Sequence, residues 1–262
     1  MNIAEYPYWR VVPTDREDEF TLMVTPPATV GPEGAGHVMG GVAMAAAIDA
    51  LEVCTQQPLL WATIQFLVAT QRAEELTIRC EQRGGGRSIG QWNVAVFRGE
   101  MLVQSVLAAV GAREPSESQI FAKMPDAPPP GECPIKLVDQ NASPANLIGQ
   151  YERRTAFEDH ENGLEATWVR PLGGFDIDAC QLAIISDFFL GAHPRAHAGS
   201  SLDATLRFIQ PAKHGWVLSV TQMSAFDRGV AHGDARHFSE DGKLLAISSQ
   251  TGVLPRVPVD LG

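Results

Sequence analysis

LWATIQF at Leu60–Phe66 returns as LDATLRF at Leu202–Phe208, an offset of 142 residues (202 − 60). Four residues coincide between the copies, at Leu60/Leu202, Ala62/Ala204, Thr63/Thr205 and Phe66/Phe208, and Leu102/Leu244 repeat at the same spacing. A match recurring at so long a period points to two copies of one folding unit.

The surroundings of the two copies share an order of elements. An apolar helical stretch precedes each: Gly40–Val53 is alanine-rich, and Asp176–Leu190 has acidic residues in its first turn and Gly191 behind it as a C-cap. Both are apolar on most faces, as suits a helix enclosed by sheet. Strands are expected at Trp61–Ala69, Leu76–Arg83, Ser88–Arg98 and Met101–Ala112, then at Asp203–Gln210, Trp216–Phe226, Val230–Ser239 and Lys243–Leu254. Tight turns at Arg98–Glu100 and Asp241–Gly242 join the last pair of each set. Opening strands are expected at Asp18–Thr25 and Leu164–Arg170. The pattern predicts an α+β chain: two antiparallel-sheet units, each wrapped around a long central helix. Between them, Arg113–Pro134 carries six prolines, which exclude helix and interior strand. The expected organisation is an N-terminal unit over 1–114, a Pro-rich linker over 115–145 and a C-terminal unit over 146–262.

Composition narrows the function classes. The 262 residues carry 20 Lys plus Arg against 31 Asp plus Glu, a net charge of −11. That lacks the basic footprint of a nucleic-acid binder and disfavours docking on an anionic membrane. The longest apolar runs fall short of the ~20 residues a span requires. No secretory leader is visible at Met1–Arg10, and the four cysteines show no CxxC spacing, so a cytoplasmic protein with reduced thiols is expected. Gly84–Ser88 lacks a GK[ST] ending and reads as a turn. His193 and His197 straddle Pro194 and read as loop residues, while His232 and His237 are expected on a strand surface.

Five segments carry a family resemblance: His37–Val42 (HVMGGV), Gly86–Ser88 (GRS), Ile185–Asp187 (ISD), Ser200–Asp203 (SSLD) and Ser249–Gly252 (SQTG). In this order they resemble the acyl-CoA thioesterase II-like family of double-hotdog enzymes. Thr251 stands where the family carries Glu, Met39 where it carries Phe, and Asp227–Gly229 substitutes for its RG segment at shorter spacing.

The resemblance implies a double-hotdog fold and hydrolysis of acyl-CoA to free acid and CoA, with no cofactor beyond the CoA of the substrate. It implies an acyl-CoA partner and a homodimer or higher homo-oligomer, in lipid metabolism. Thioester hydrolysis requires an activated water and a stabilised oxyanion. Carried over by position, the water-activating set is Asp203, Gln250 and Ser224, with Ser219 and Thr221 as neighbours competing for the third place. Glutamine and a hydroxyl each offer donor and acceptor, which suits orienting one water. Gly40 and Gly41, with His37 at the mouth, are the expected oxyanion and substrate-binding residues, since glycines at a helix start allow close approach to its N–H groups.

At the 142-residue offset Asp203, Ser224 and Gln250 correspond to Trp61, Gln82 and Ala108, which predicts one competent and one degenerate site. Without a GxSxG elbow, no acyl-enzyme is expected. A hydratase or dehydratase of the same fold would pair Asp with His five residues on, where this chain has Phe208. A non-catalytic acyl-CoA binding protein is the alternative from another class. An acidic chain does not attract CoA globally, so local cations such as Arg87, Arg207 or Arg228 are the candidates for its phosphates.

Overall fold

The computed structural model describes residues 7–32, 36–113, 118–136 and 145–256. The chain divides into two compact units, one of Met1–Ser116 with Val138–Gln150, the other of Glu117–Leu137 with Tyr151–Gly262.

In the first unit β1 (Val12–Pro13), β2 (Glu19–Met23), β3 (Thr29–Val30) and β4 (His37–Val38) precede α1 (Gly40–Thr55). Four strands follow: β5 (Leu59–Phe66), β6 (Glu75–Gly85), β7 (Ile89–Arg98) and β8 (Met101–Gly111). The sheet order is β1-β2-β6-β7-β8-β5, antiparallel throughout, with β3 and β4 as a separate pair. Residues Gly41–Leu51 of α1 are buried without interruption. Their alanines let five strands, β2 and β5 through β8, approach the helix closely. Asp49 is the polar exception there. Its carboxylate accepts from Arg10 Nη1 at 2.6 Å and from the Val11 N–H at 2.9 Å, so it ties the incoming chain to the helix.

The second unit repeats this plan. β9 (Tyr151–Asp159) and β10 (Leu164–Pro171) lead into α2 (Ala179–Ser186). Then come β11 (Ser200–Phe208), β12 (Val217–Asp227), β13 (Val230–Ser239) and β14 (Leu244–Val253). The order β11-β14-β13-β12-β10-β9 mirrors that of the first unit, and the double-hotdog α+β expectation holds. One element differs. The α-helix expected over Asp176–Leu190 is shorter: Asp178 caps its start by accepting from the Gln181 N–H at 2.8 Å, and it ends at Ser186. The chain continues as a 3-10 segment, Asp187–Ala192, so Gly191 lies inside that segment rather than capping an α-helix.

Of the Pro-rich stretch, the residues from Glu117 to Leu137 group with the second unit. Residues 134–136 run along β9: the Thr155 N–H donates to Pro134 O at 3.0 Å and the Lys136 N–H to Arg153 O at 2.9 Å. Upstream, Ala122, Met124 and Ala127 pack on a cluster of Cys133, Trp168, Leu218, Phe238 and Leu244. Trp168 is 2% exposed and donates from Nε1 to Pro128 O at 2.9 Å. Covering the edge strand this way removes a row of unpaired backbone groups. We expect Trp168→Phe to lose one buried hydrogen bond and some packing, about 1–2 kcal/mol. Urea midpoints would show that loss, and limited proteolysis would show faster cleavage within 118–136.

Candidate active site

Period-two alternation decides which strand residues share a face, and one inserted residue reverses it. In the second unit Ala204 lies opposite Gln250, and Gln250 lies opposite Gly233. Asp203 lies opposite Thr251, and Ser201 opposite Gly252, so Leu202 is an extra residue, a β-bulge. Ser201 therefore shares the face of Gln250 and Gly252, whereas Asp203 shares the opposite face with Thr251.

On the face of Gln250 three polar side chains converge. Gln250 Nε2 donates to Asp187 Oδ1 at 2.7 Å and to Ser201 Oγ at 2.6 Å, and Ser201 Oγ donates to Asp187 Oδ1 at 3.3 Å. Asp187 is 9% exposed and Gln250 5%. The acid sits where α2 tightens into the 3-10 segment, and that segment is pressed onto the sheet because glycines face it. A Cβ at Gly252 would lie 2.6 Å from the Leu190 side chain, and one at Gly233 2.9 Å from the Phe189 ring. The same glycines flank Gln250 along and across the strands. The cluster is a buried carboxylate held by a hydroxyl and an amide, suited to binding one water and accepting its proton.

Two of the three expected water-activating residues lie elsewhere. Asp203 Oδ1 accepts from the Thr251 N–H at 3.1 Å. Beside the bulge, the Asp203 carboxylate thus clasps the backbone of the neighbouring strand. Ser224 is exposed and is itself the extra residue of a bulge in β12, between Met223 and Ala225. The cross-strand row runs Asp203, Thr251, His232, Ala225. Three strand spacings of ~4.8 Å separate its ends by roughly 14 Å, too far for Asp203 and Ser224 to hold one water. The acid and the hydroxyl that do lie beside Gln250 are Asp187 and Ser201. Both lie within the family-like segments Ile185–Asp187 and Ser200–Asp203, and the signal that identifies them is the bulge between Ser201 and Asp203.

Other candidates can be placed individually. His37 is exposed in β4, and Gly40 and Gly41 open α1 in the first unit. The residue ahead of them, Met39, makes no side-chain cap. His193 is held structurally: its Nε2 bonds the His160 carbonyl at 3.1 Å and its Nδ1 accepts from the Arg195 N–H at 3.1 Å. His237, expected on a strand surface, is 1% exposed. It faces inward because Ala246, its cross-strand partner, lies on the same face as Ser248 and Gln250. Arg207 is exposed on β11, and Arg228 pairs with Asp227 at 3.0 Å. Glu158, His160 and Glu165 hold their ligand atoms within 4.8 Å of one another. The Lys136 ammonium on Glu165 competes with any cation there. Among the described residues no helix is long and apolar enough to cross a membrane.

Comparison with known proteins places this geometry in a family. Residues 29–112 match the acyl-CoA thioesterase N-terminal domain and residues 122–254 the acyl-CoA thioesterase C-terminal domain. No curated protein matches the sequence significantly. Among solved structures, a provisionally assigned thioesterase from Novosphingobium aromaticivorans is 29% identical, with a TM-score of 0.87 over 95% of this chain and 99% of that one. The tesB protein of Mycobacterium avium subsp. paratuberculosis is 18% identical, with a TM-score of 0.79 over 95% and 96%. The acyl-CoA thioesterase II TesB2 of Mycobacterium marinum is 17% identical, with a TM-score of 0.75 over the same shares. With both domains of the family matched in order along most of its length, the chain belongs to the acyl-CoA thioesterase family and is a thioester hydrolase.

Proposed function

We propose that the protein hydrolyses acyl-CoA to free acid and CoA by direct attack of a water held by Asp187, Ser201 and Gln250. The convergence of a buried carboxylate, a hydroxyl and a carboxamide within 2.6–3.3 Å of one another carries the reading. Asp187 takes a proton from the water as the water oxygen bonds the thioester carbonyl carbon. The tetrahedral oxyanion then expels the CoA thiolate, which receives that proton. Ser201 and Gln250 keep the water and carboxylate aligned, so the chemistry starts from a near-attack geometry.

Thiol release from a panel of acyl-CoAs tests the activity, and single turnover in ¹⁸O-water tests the route. We expect one labelled oxygen in the acid, no burst of thiol, and no acylated protein by mass spectrometry. Ser201→Ala should lower kcat by about 10–100-fold, as loss of an orienting group predicts. An acyl group trapped on Ser201 would replace the direct-water route by a covalent one. No thiol release from any acyl-CoA would reject the activity.

A further inference from the structure

The inner face of the second unit's sheet is polar where its twin is apolar. Thr167 lies opposite Ser219, and Ser219 opposite His237; Ser248 and Gln250 follow along β14. All five are buried. His237 is hydrogen-bonded to Ser219 Oγ through Nδ1 and to Ser248 Oγ through Nε2, each at 2.9 Å. In the first unit the matching register runs Phe20, Ile78 and Val96, with Val106 and Ala108 along β8. The fold therefore stands with hydrocarbon at these places, and the polar lining needs another reason.

Three of the five, Thr167, Ser219 and His237, border a cavity between the sheet and the α2 segment, lined also by Lys136, Arg153, Glu165, Phe188 and Phe189 among others. Phe189 is the wall it shares with the active site, because the same ring packs on Gly233, the cross-strand partner of Gln250. The cavity's charges do not balance. Glu165 is taken by Lys136 and by Thr167 Oγ1 at 2.7 Å, and the neighbouring Glu152 by Arg154 and Arg170. Arg153 feels the charge of Glu165 but forms no ion pair with an acid among the described residues. Its guanidinium stacks on Phe188 with Cζ 4.7 Å from the ring centroid, and its buried Nε has no hydrogen-bond partner among the described residues. Burial pushes the Arg153 pKa down, and the charge of Glu165 offsets this only in part. A guanidinium that shares Glu165 with Lys136 and keeps an unpartnered Nε can take a further anion, and a carboxylate matches its fork.

We propose that this cavity binds the distal carboxylate of the acyl group, with Arg153 as its partner, so that the preferred substrates are CoA thioesters of dicarboxylic acids. The proposal rests on the thioesterase reading and adds its substrate class.

The test compares hexanoyl-CoA with adipoyl-CoA, and octanoyl-CoA with suberoyl-CoA, in wild type, Arg153→Met and Arg153→Lys. The wild type should favour the carboxylated member of at least one pair by tenfold or more in kcat/KM. In Arg153→Met that ratio should fall at least tenfold, with Arg153→Lys between. Adipate should inhibit the wild type more strongly than hexanoate, an arm that requires no variant to fold. A wild-type ratio of one or less, or a ratio unmoved by Arg153→Met with equal inhibition by the two acids, would overturn the proposal. If no thioester is cleaved, the activity reading fails alone. Calorimetry of adipate on the wild type and Arg153→Met then decides: binding that the variant loses supports the site, and no binding by the wild type rejects it.

Discussion

Asp187→Asn should lower kcat by about two to four orders of magnitude while leaving the fold intact, as removal of a general base predicts. The change is isosteric and keeps one acceptor oxygen, so Gln250 Nε2 and Ser201 Oγ retain a partner for the bonds they make to Oδ1. What it removes is the basic carboxylate. The informative contrast is Asp203→Asn, on the same strand as Ser201 but on its other face. The Asp203 Oδ1 accepts a backbone N–H from Thr251, a task an amide oxygen also performs, so kcat should stay within about threefold. Asp203→Ala, which leaves that N–H unpaired, should cost about 1–2 kcal/mol of stability without a matching loss of kcat. Steady-state thiol release and urea unfolding on the three variants read both quantities. Equal loss of kcat in Asp187→Asn and Asp203→Asn would reject the assignment.

The second large effect is a pH dependence of stability centred on His237. Burial pushes its imidazole down to about 4, and its two bonds are to Ser219 and Ser248 rather than to an acid. In the unfolded chain histidine titrates near 6.5, so between pH 6.5 and 4 the unfolded state binds the extra proton. Stability should therefore hold above about pH 6.5 and decline as pH falls toward 4, losing up to about 3 kcal/mol from this residue. His193, also lowered by burial, shifts in the same direction. Urea unfolding of wild type and His237→Gln at pH 7 and pH 4.5 measures the slope, which should be shallower in the variant. The first unit supplies a stricter comparison: Ser219→Ile, His237→Val and Ser248→Val together copy Ile78, Val96 and Val106. That triple variant should fold and lose the His237 contribution entirely. Identical slopes in all three proteins would refute the linkage.

Much of the architecture was legible because it rests on local periodicity. The alanine-rich stretch before the first repeat is helical and buried along one continuous run, and the strands expected after each helix are present. Gln250, carried over from the family resemblance, is the one member of the expected trio that lies in the buried polar cluster with Asp187 and Ser201. The second helix was read too long. A mainly apolar run from Ile184 through Leu190 suits α and 3-10 geometry alike, and only the packing of Phe189 and Leu190 onto Gly233 and Gly252 selects the tighter form.

The doubled α+β chain and the acidic balance are carried by the amino-acid sequence, because helical and strand periods are written in short-range order. Which acid and which hydroxyl lie beside Gln250 is a matter of tertiary structure. Asp203 and Ser201 stand two residues apart and would share a face in a regular strand; one extra residue at Leu202 places them on opposite faces. Such a bulge is set by pairing with β14, a strand distant in sequence. So is the inward turn of His237. Both depend on cross-strand register, a property of two strands together that neither carries alone.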